Sequence, residues 1–236
     1  MTHQTPSGPN WRLIISGFVA AVAISAVCMT WVDEPAARFL RDAFDAEQRR
    51  FFGHTIGALG KPEFYFAAAA LTAVVCWLLR RRLSSGGEAL RRAMHAALFV
   101  ILSIASAGIL VNLLKFVIGR TRPRELLENG VSAFIPFNTE FGMNSFPSGH
   151  SQMVWSLAVA LILIFPRWWP LLGAFAAAVA ASRFLASVHY VSDVVMGSYI
   201  GAVVPILLKH YLYDRRGIVI RAISPGTFSQ STFRQS

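Results

Sequence analysis

Residues 93–123 read A-M-H-A-A-L-F-V-I-L-S-I-A-S-A-G-I-L-V-N-L-L-K-F-V-I-G-R-T-R-P. The first twenty-two of them, 93–114, contain no Lys, Arg, Asp or Glu. A helix of that length rises about 33 Å, enough to cross roughly 30 Å of hydrocarbon. The character of the chain then changes: Lys115, Arg120 and Arg122 follow, and Pro123 closes the stretch. This one segment predicts a membrane-spanning helix that delivers a cluster of positive charge to a bilayer surface.

Five further apolar runs flank it, at 12–32, 64–79, 149–166, 168–185 and 190–208. The run at 64–79 is short for a span, and the last two are joined tightly. None has Lys, Arg, Asp or Glu near its middle. Hydrophobic residues make up 55% of the 236-residue chain and charged residues 14%, with a mean hydropathy of +0.51. Soluble domains average about 25% charged. The expected fold is all-α: a polytopic membrane protein with six transmembrane helices, one domain over 1–213, and a polar, disordered cytoplasmic tail over 214–236. The run at 12–32 exceeds the apolar region of a cleaved signal peptide and reads as a retained helix. Cys28 lacks the flanking residues of a lipidation site. Cys28 and Cys76 fall near opposite ends of their spans, so two free, buried thiols are expected.

Charge sets the orientation. With the N-terminus inside, the cytoplasmic side carries twelve Lys and Arg residues against Glu88 and Asp214, and the other side carries ten basic and ten acidic residues. The formal net charge of +10 therefore lies on one side. Positive residues favour the cytoplasm, which predicts an inner-membrane protein with both termini cytoplasmic. The basic balance reflects topology and anionic headgroups, with no nucleic-acid footprint.

In this topology three charged or polar stretches reach the outer face at one depth. They are Lys115 to Pro123, then Pro147-Ser148-Gly149-His150, then Ser182-Arg183 with His189 and Asp193. Lys115, Arg122 and Arg183 supply positive charge and N–H donors suited to a phosphate dianion. Ser148 and Gly149 read as a turn opening a helix, where free N–H groups and the helix dipole favour an anion. His189 and Asp193 share a helix face, so the carboxylate can orient the imidazole. His150 is a second imidazole, available for proton transfer.

Written as K-x6-R-P, P-S-G-H and S-R-x5-H-x3-D, in that order, these stretches resemble the type 2 phosphatidic acid phosphatases, the membrane relatives of vanadium haloperoxidases. The motif core covers 115–193. The resemblance implies a membrane-bound hydrolase of a lipid phosphate or diphosphate working at the outer face. It also assigns the histidines: His189 as nucleophile forming a phosphohistidine, His150 as proton carrier. Asp193 orients His189, while Lys115, Arg122, Ser148, Gly149 and Arg183 bind phosphate. No cofactor is expected. No Asp, Glu, Cys and His cluster has metal-ligand spacing, so no metal is expected either. The partners are the lipid substrate and the bilayer; oligomeric state and the particular lipid stay open.

Other readings compete for the same residues. Lys and Arg at span ends commonly snorkel to headgroups, which suits Arg80 to Arg82 and Arg91 and is the rival for Lys115 and Arg122. Arg120 and Arg124 read as surface charges. His95 reads as a hydrogen-bonding partner between helices. A phosphotransferase would use the same site, whereas a transporter would place it near the midplane, often on repeated halves. Residues 35–52 read as a helix on the membrane surface or one packed on the bundle. Residues 124–146 read as an irregular loop shaping the mouth. Residues 55–61, T-I-G-A-L-G-K, resemble a stretch preceding the second span in bacterial members of the family.

Overall fold

A computed structural model describes residues 8–83, 87–138 and 141–220. The described residues are helical apart from loops, turns and one isolated bridge between Arg120 and Phe134. Helix α1 (Trp11–Val27) passes through a π-helical turn, Cys28–Val32, into α2 (Asp33–Ala43). Then come α3 (Ala46–Arg50), α4 (Glu63–Arg82), α5 (Gly87–Ile118) and α6 (Pro123–Asn129). Helices α7 (Gly149–Ile164), α8 (Trp169–Leu185) and α9 (Val191–Leu208) complete the bundle.

Among the described residues five helical stretches are long and apolar enough to cross a membrane: Trp11–Ala43, Glu63–Arg82, Gly87–Ile118, Pro166–Leu185 and Val191–Arg216. The sixth apolar helix, α7, has only 16 residues. It can be short because it is central, packing against α5, α8 and α9. Its buried side chains, from Ser151 through Val154 and Leu157 to Ile164, point in several directions round the helix. Helices α1 and α4 lie at the periphery and expose Leu13, Ile15, Phe18, Leu71 and Val74. Such apolar surface suits lipid.

Helices α7 and α9 cross almost backbone to backbone. A Cβ added at Gly197 would lie 2.4 Å from the Ser148 carbonyl oxygen, and one at Gly201 would lie 2.3 Å from that of Gln152. The Ser148 N–H donates to the Asp193 carbonyl at 2.9 Å. Main-chain atoms therefore fix the distance between the two helix starts.

The six predicted runs match the six apolar helices to within a few residues, except at their ends. The first extends without a break to Ala43. The third begins earlier, at Gly87, where Glu88 pairs with Arg91 and Arg92 at 2.8 and 2.9 Å. Nearby, Arg81 lies over the Trp77 ring at 4.0 Å. Among the described residues His95 has no interhelical hydrogen bond of the kind expected; it packs edge-on to Tyr213, with centroids 6.3 Å apart. Cys28 and Cys76 are free and buried.

Residues 35–52 are no single surface helix. Helix α2 ends at Phe44 in extended backbone, and Asp45 starts α3 with a capping box to Gln48. A π-helical segment, Phe51–Ile56, then packs on α8. The expected loop 124–146 is ordered where described: α6 is closed by Gly130 in the left-handed region, and Arg122 N–H donates to the Gly142 carbonyl at 3.0 Å. The start of the expected tail is also packed. Asp214 pairs with Lys209 at 2.8 Å, and Ile220 is buried among Phe99, Val100 and Met153. Residues 221–236, the rest of that tail, lie outside the described residues.

Candidate active site

Helices α5 and α8 end, and α7 and α9 begin, at the same end of the bundle. The three motif stretches therefore meet there, as their common depth predicts. Lys115 Nζ donates to the main-chain carbonyls of Asn144 and Ser145. Arg122 donates from Nε and Nη2 to Asn144 Oδ1 at 3.1 and 2.8 Å. Arg183 Nη1 donates to the Gly53 carbonyl at 3.0 Å, while its buried Nε has no hydrogen-bond partner among the described residues. Each of these bonds goes to a neutral oxygen. Main-chain carbonyls and an amide oxygen thus position the three side chains, whose N–H donors suit an anion.

Ser148 caps α7. Its Oγ accepts from the Ser151 N–H at 3.4 Å and from Ser151 Oγ at 3.0 Å. The first N–H groups of α7, at Gly149 and His150, thus open beside Lys115, whose Cε lies 3.8 Å from where a Gly149 Cβ would stand. Ser182, by contrast, donates to the Val179 carbonyl of its own helix at 2.7 Å and serves packing.

His189 sits in the turn between α8 and α9, where Ser187 takes a left-handed backbone at φ 56°. The residue is 5% exposed. Its Nδ1 lies 3.4 Å from Asp193 Oδ2, and Ser145 Oγ stands 3.5 Å from the same nitrogen. The same Asp193 oxygen accepts from Ser145 Oγ at 2.5 Å and from the Tyr190 N–H at 2.9 Å. Burial pushes the His189 imidazole down to about 4, and the charges of Lys115 and Arg122 act the same way against the opposing pull of Asp193. The ring is therefore neutral at neutral pH, with burial the largest cause.

Arg120 corrects the sequence reading. Its side chain is no surface charge: the residue is 5% exposed and lies at the centre of the network behind His189. Nη1 donates to Asp193 Oδ1 at 2.8 Å and Nη2 to Asp33 Oδ2 at 2.9 Å. The guanidinium also stacks over Tyr190 at 4.1 Å and donates to Ser192 Oγ at 2.7 Å. Asp33 Oδ1 accepts from the Ser192 N–H at 3.1 Å. Two buried carboxylates thus share one guanidinium, the form in which burial of charge is tolerable. Arg124 does behave as a surface charge, pairing with exposed Glu128 at 2.9 Å.

Asp33, Asn144 and Ser145 were also missed. The available signals were a carboxylate at the end of the first apolar run and an arginine between two motif positions. The 55–61 stretch acquires a physical reason here. A Cβ at Gly57 would lie 1.9 Å from Arg183 Nη1, and one at Gly60 would lie 3.0 Å from His150 Cδ2. Any side chain at position 57 would push the Arg183 guanidinium from its place, and one at position 60 would crowd His150.

Beyond the motif residues the site opens into a cavity of about 760 Å³ whose wall includes His150, Arg122 and Arg183. A second cavity, of about 530 Å³, lies between α4, α5 and α7 and also reaches His150. Among the described residues no group of three or more His, Cys, Asp or Glu is arranged to hold a metal ion.

The family model described as the PAP2 superfamily matches residues 96–217. A lipid A 1-phosphatase from Rhizobium johnstonii is 34% identical over 128 residues, covering 54% of this chain and 52% of that protein. An undecaprenyl-diphosphatase from Sulfolobus acidocaldarius is 31% identical over 113 residues, covering 48% and 53%. The chain thus spans about half the length of the curated relatives it matches. The fold resembles the crystal structure of a transmembrane PAP2 type phosphatidylglycerolphosphate phosphatase from Bacillus subtilis. The TM-score is 0.59 at 22% identity, over 83% of this chain and 94% of that one. It also resembles Aquifex aeolicus LpxE, at TM-score 0.54 and 23% identity over 76% and 96%.

Proposed function

The chain belongs to the PAP2 superfamily, and from that premise we propose that it is an integral-membrane phosphatase hydrolysing a lipid phosphate or diphosphate at the outer face of the cytoplasmic membrane. The observation that carries this reading is the meeting of buried Arg183, half-buried Lys115 and Arg122, and a helix start with an oriented, neutral imidazole. Arg183 Nε, buried and without a hydrogen-bond partner among the described residues, is a donor available to a substrate oxygen. The names of the two relatives support lipid phosphate and lipid diphosphate as the substrate class.

The roles follow from position. Nδ1 of His189 faces Asp193 and Ser145, so Nε2 is the attacking atom. An N–P bond forms as the P–O bond to the lipid breaks, and the electron pair leaves with the lipid oxygen. His150 gives that oxygen its proton. Lys115, Arg122, Arg183, Ser148 and the Gly149 N–H hold the equatorial oxygens as charge spreads over them. Water then attacks phosphorus, His150 takes its proton, and inorganic phosphate departs from a regenerated imidazole. Asp193 stabilises the positive imidazole, and Arg120 with Asp33 holds Asp193. The catalytic unit extends beyond the matched segment, because Asp33 belongs to this network. Phosphate release by the purified protein from a panel of lipid phosphates tests the reading; no release from any of them overturns it.

Positive charge at the phosphate oxygens comes from side chains in this scheme. Activity is therefore expected to survive excess EDTA and to be inhibited by vanadate, a mimic of five-coordinate phosphorus. Loss in EDTA with recovery on adding Mg²⁺ would refute the metal-independent chemistry.

Sidedness rests on the charge split. Exposed Val131, beside the site, and exposed Gly87, at the opposite end of α5, are suitable probes. A Val131→Cys protein is expected to react with a membrane-impermeant thiol reagent in intact cells, and a Gly87→Cys protein only after permeabilisation. The reverse pattern would invert the topology.

A further inference from the structure

The larger cavity carries more positive charge than one phosphate requires. Among the described residues its rim holds Arg41, Arg49, Arg50, Lys61 and Arg124, five cations against the two carboxylates Glu125 and Glu128. Arg122 and Arg183, which serve the reaction centre, are additional to these. Glu128 is taken up by Arg124 at 2.9 Å, and Glu125 accepts from the Asn129 amide at 2.8 Å. Arg41 donates to the Leu127 carbonyl, tying α2 to α6, and Arg49 donates to the Arg41 carbonyl at 2.8 Å and to the Phe44 carbonyl. Main-chain carbonyls thus hold these two guanidiniums in place without cancelling their charge. Arg50 and Lys61 are exposed and have no ion-pair partner among the described residues.

The second cavity has a different character. Phe66, Ile104, Ile109 and Met153 give it apolar walls between α4, α5 and α7. Lys61 and His150 belong to both cavities. Phosphorus at the reaction centre therefore has an apolar space on one side of His150 and an excess of cations on the other. A neutral headgroup would leave those cations unanswered. An anionic one would meet a concentrated positive field, with Arg41 and Arg49 already held in place, and could form charge-assisted bonds.

We propose that the rim formed by Arg41, Arg49, Arg50 and Lys61 is a second anion subsite, which selects lipid substrates bearing a second phosphate besides the one that is cleaved. This rests on the reading of the centre as a phosphate site, and it adds a specificity element from residues outside the matched family segment. The second phosphate can adjoin the first, as in a lipid diphosphate, or stand elsewhere on a larger headgroup.

Binding tests this without requiring turnover. The probes are non-hydrolysable alkyl chains ending in one phosphonate, in a methylene-bridged bisphosphonate, or in two separated phosphonates, measured against the purified protein in uncharged detergent. Wild type is expected to bind at least one two-phosphonate probe about tenfold tighter than the single phosphonate, roughly the worth of one charge-assisted bond. An Arg50→Ala/Lys61→Ala protein is expected to lose that preference while keeping its affinity for the single phosphonate within about twofold, and Arg50→Lys to retain it. High salt is expected to erase the preference first, because the rim is exposed. Preference for the bridged probe identifies a lipid diphosphate as the source, and preference only for the separated probe identifies a headgroup with two phosphates. Equal affinity of wild type for all three probes, or a preference that survives the double substitution, overturns the subsite. Tight binding of every probe with no hydrolysis of matching substrates would instead refute the phosphatase reading.

Discussion

A His189→Ala protein is expected to release no phosphate and to form no phosphoenzyme, the largest single loss available in this site. His150→Ala is expected to behave differently, because only the proton carrier is gone. A substrate with a good leaving group, such as an aryl phosphate or a diphosphate, needs little protonation and can still phosphorylate His189. Hydrolysis of that intermediate needs an activated water, so the label accumulates. Asp193→Asn keeps the shape but weakens imidazolium stabilisation, with an expected loss of about 10² to 10⁴ in rate by analogy with the oriented histidine of a catalytic triad. Rapid quench with ³²P-labelled substrate distinguishes these cases through an acid-labile, base-stable label. Label in the His189→Ala protein but not in His150→Ala would exchange the two roles. Label in no protein, wild type included, would favour direct attack by water.

Removing the guanidinium at position 120 is expected to be nearly as damaging, though that group has no bond to transfer. Arg120 separates Asp33 from Asp193, at 2.9 and 2.8 Å respectively. Arg120→Ala would leave both carboxylates buried with no counter-charge, a change that costs about 3–5 kcal/mol. The unfolding midpoint in detergent is expected to fall, and turnover with it, as Asp193 no longer holds His189. Arg120→Lys restores a charge but not two divergent N–H forks, so it should recover stability more than activity. Asp33→Asn leaves the Arg120–Asp193 pair in place and should be the mildest of the three. Combining Arg120→Ala with Asp33→Asn removes one orphaned charge and should be less destabilising than Arg120→Ala alone. Quench experiments on the surviving variants should show slowed formation of the phosphoenzyme rather than slowed breakdown. Wild-type stability and rate in Arg120→Ala would refute the network's role.

The spans were legible because twenty consecutive apolar residues have few other uses, and the motif ends because their charges sit where lipid stops. Lys115, His150 and Arg183 could be placed at one depth from hydropathy alone. Arg120 could not be placed. Its burial depends on Asp33, about ninety positions earlier in the chain, and no local pattern encodes a pairing across that distance. A lone arginine near a membrane surface is ordinarily solvated, so the general expectation failed at the one site where two carboxylates bury it. Asn144 and Ser145 were illegible for a related reason. They act through a carbonyl, an amide and a hydroxyl, in a stretch with no periodicity to read. The docking of Ile220 was hidden by the polar residues that follow it.

The crossing of α7 and α9 through Gly197 and Gly201 also bears on how such a protein can diverge. Helix α7, which opens at His150, and helix α9, which follows His189, are joined by main-chain atoms, including the Ser148 N–H to Asp193 carbonyl bond. The cationic rim, in contrast, hangs on α2, α3, α6 and the turn before α4. Mutation in those peripheral pieces can redraw the headgroup boundary while the spacing of the two histidines is inherited intact. Descendants of one ancestral bundle could therefore acquire new lipid diets by exchanging a collar around an unchanged hearth.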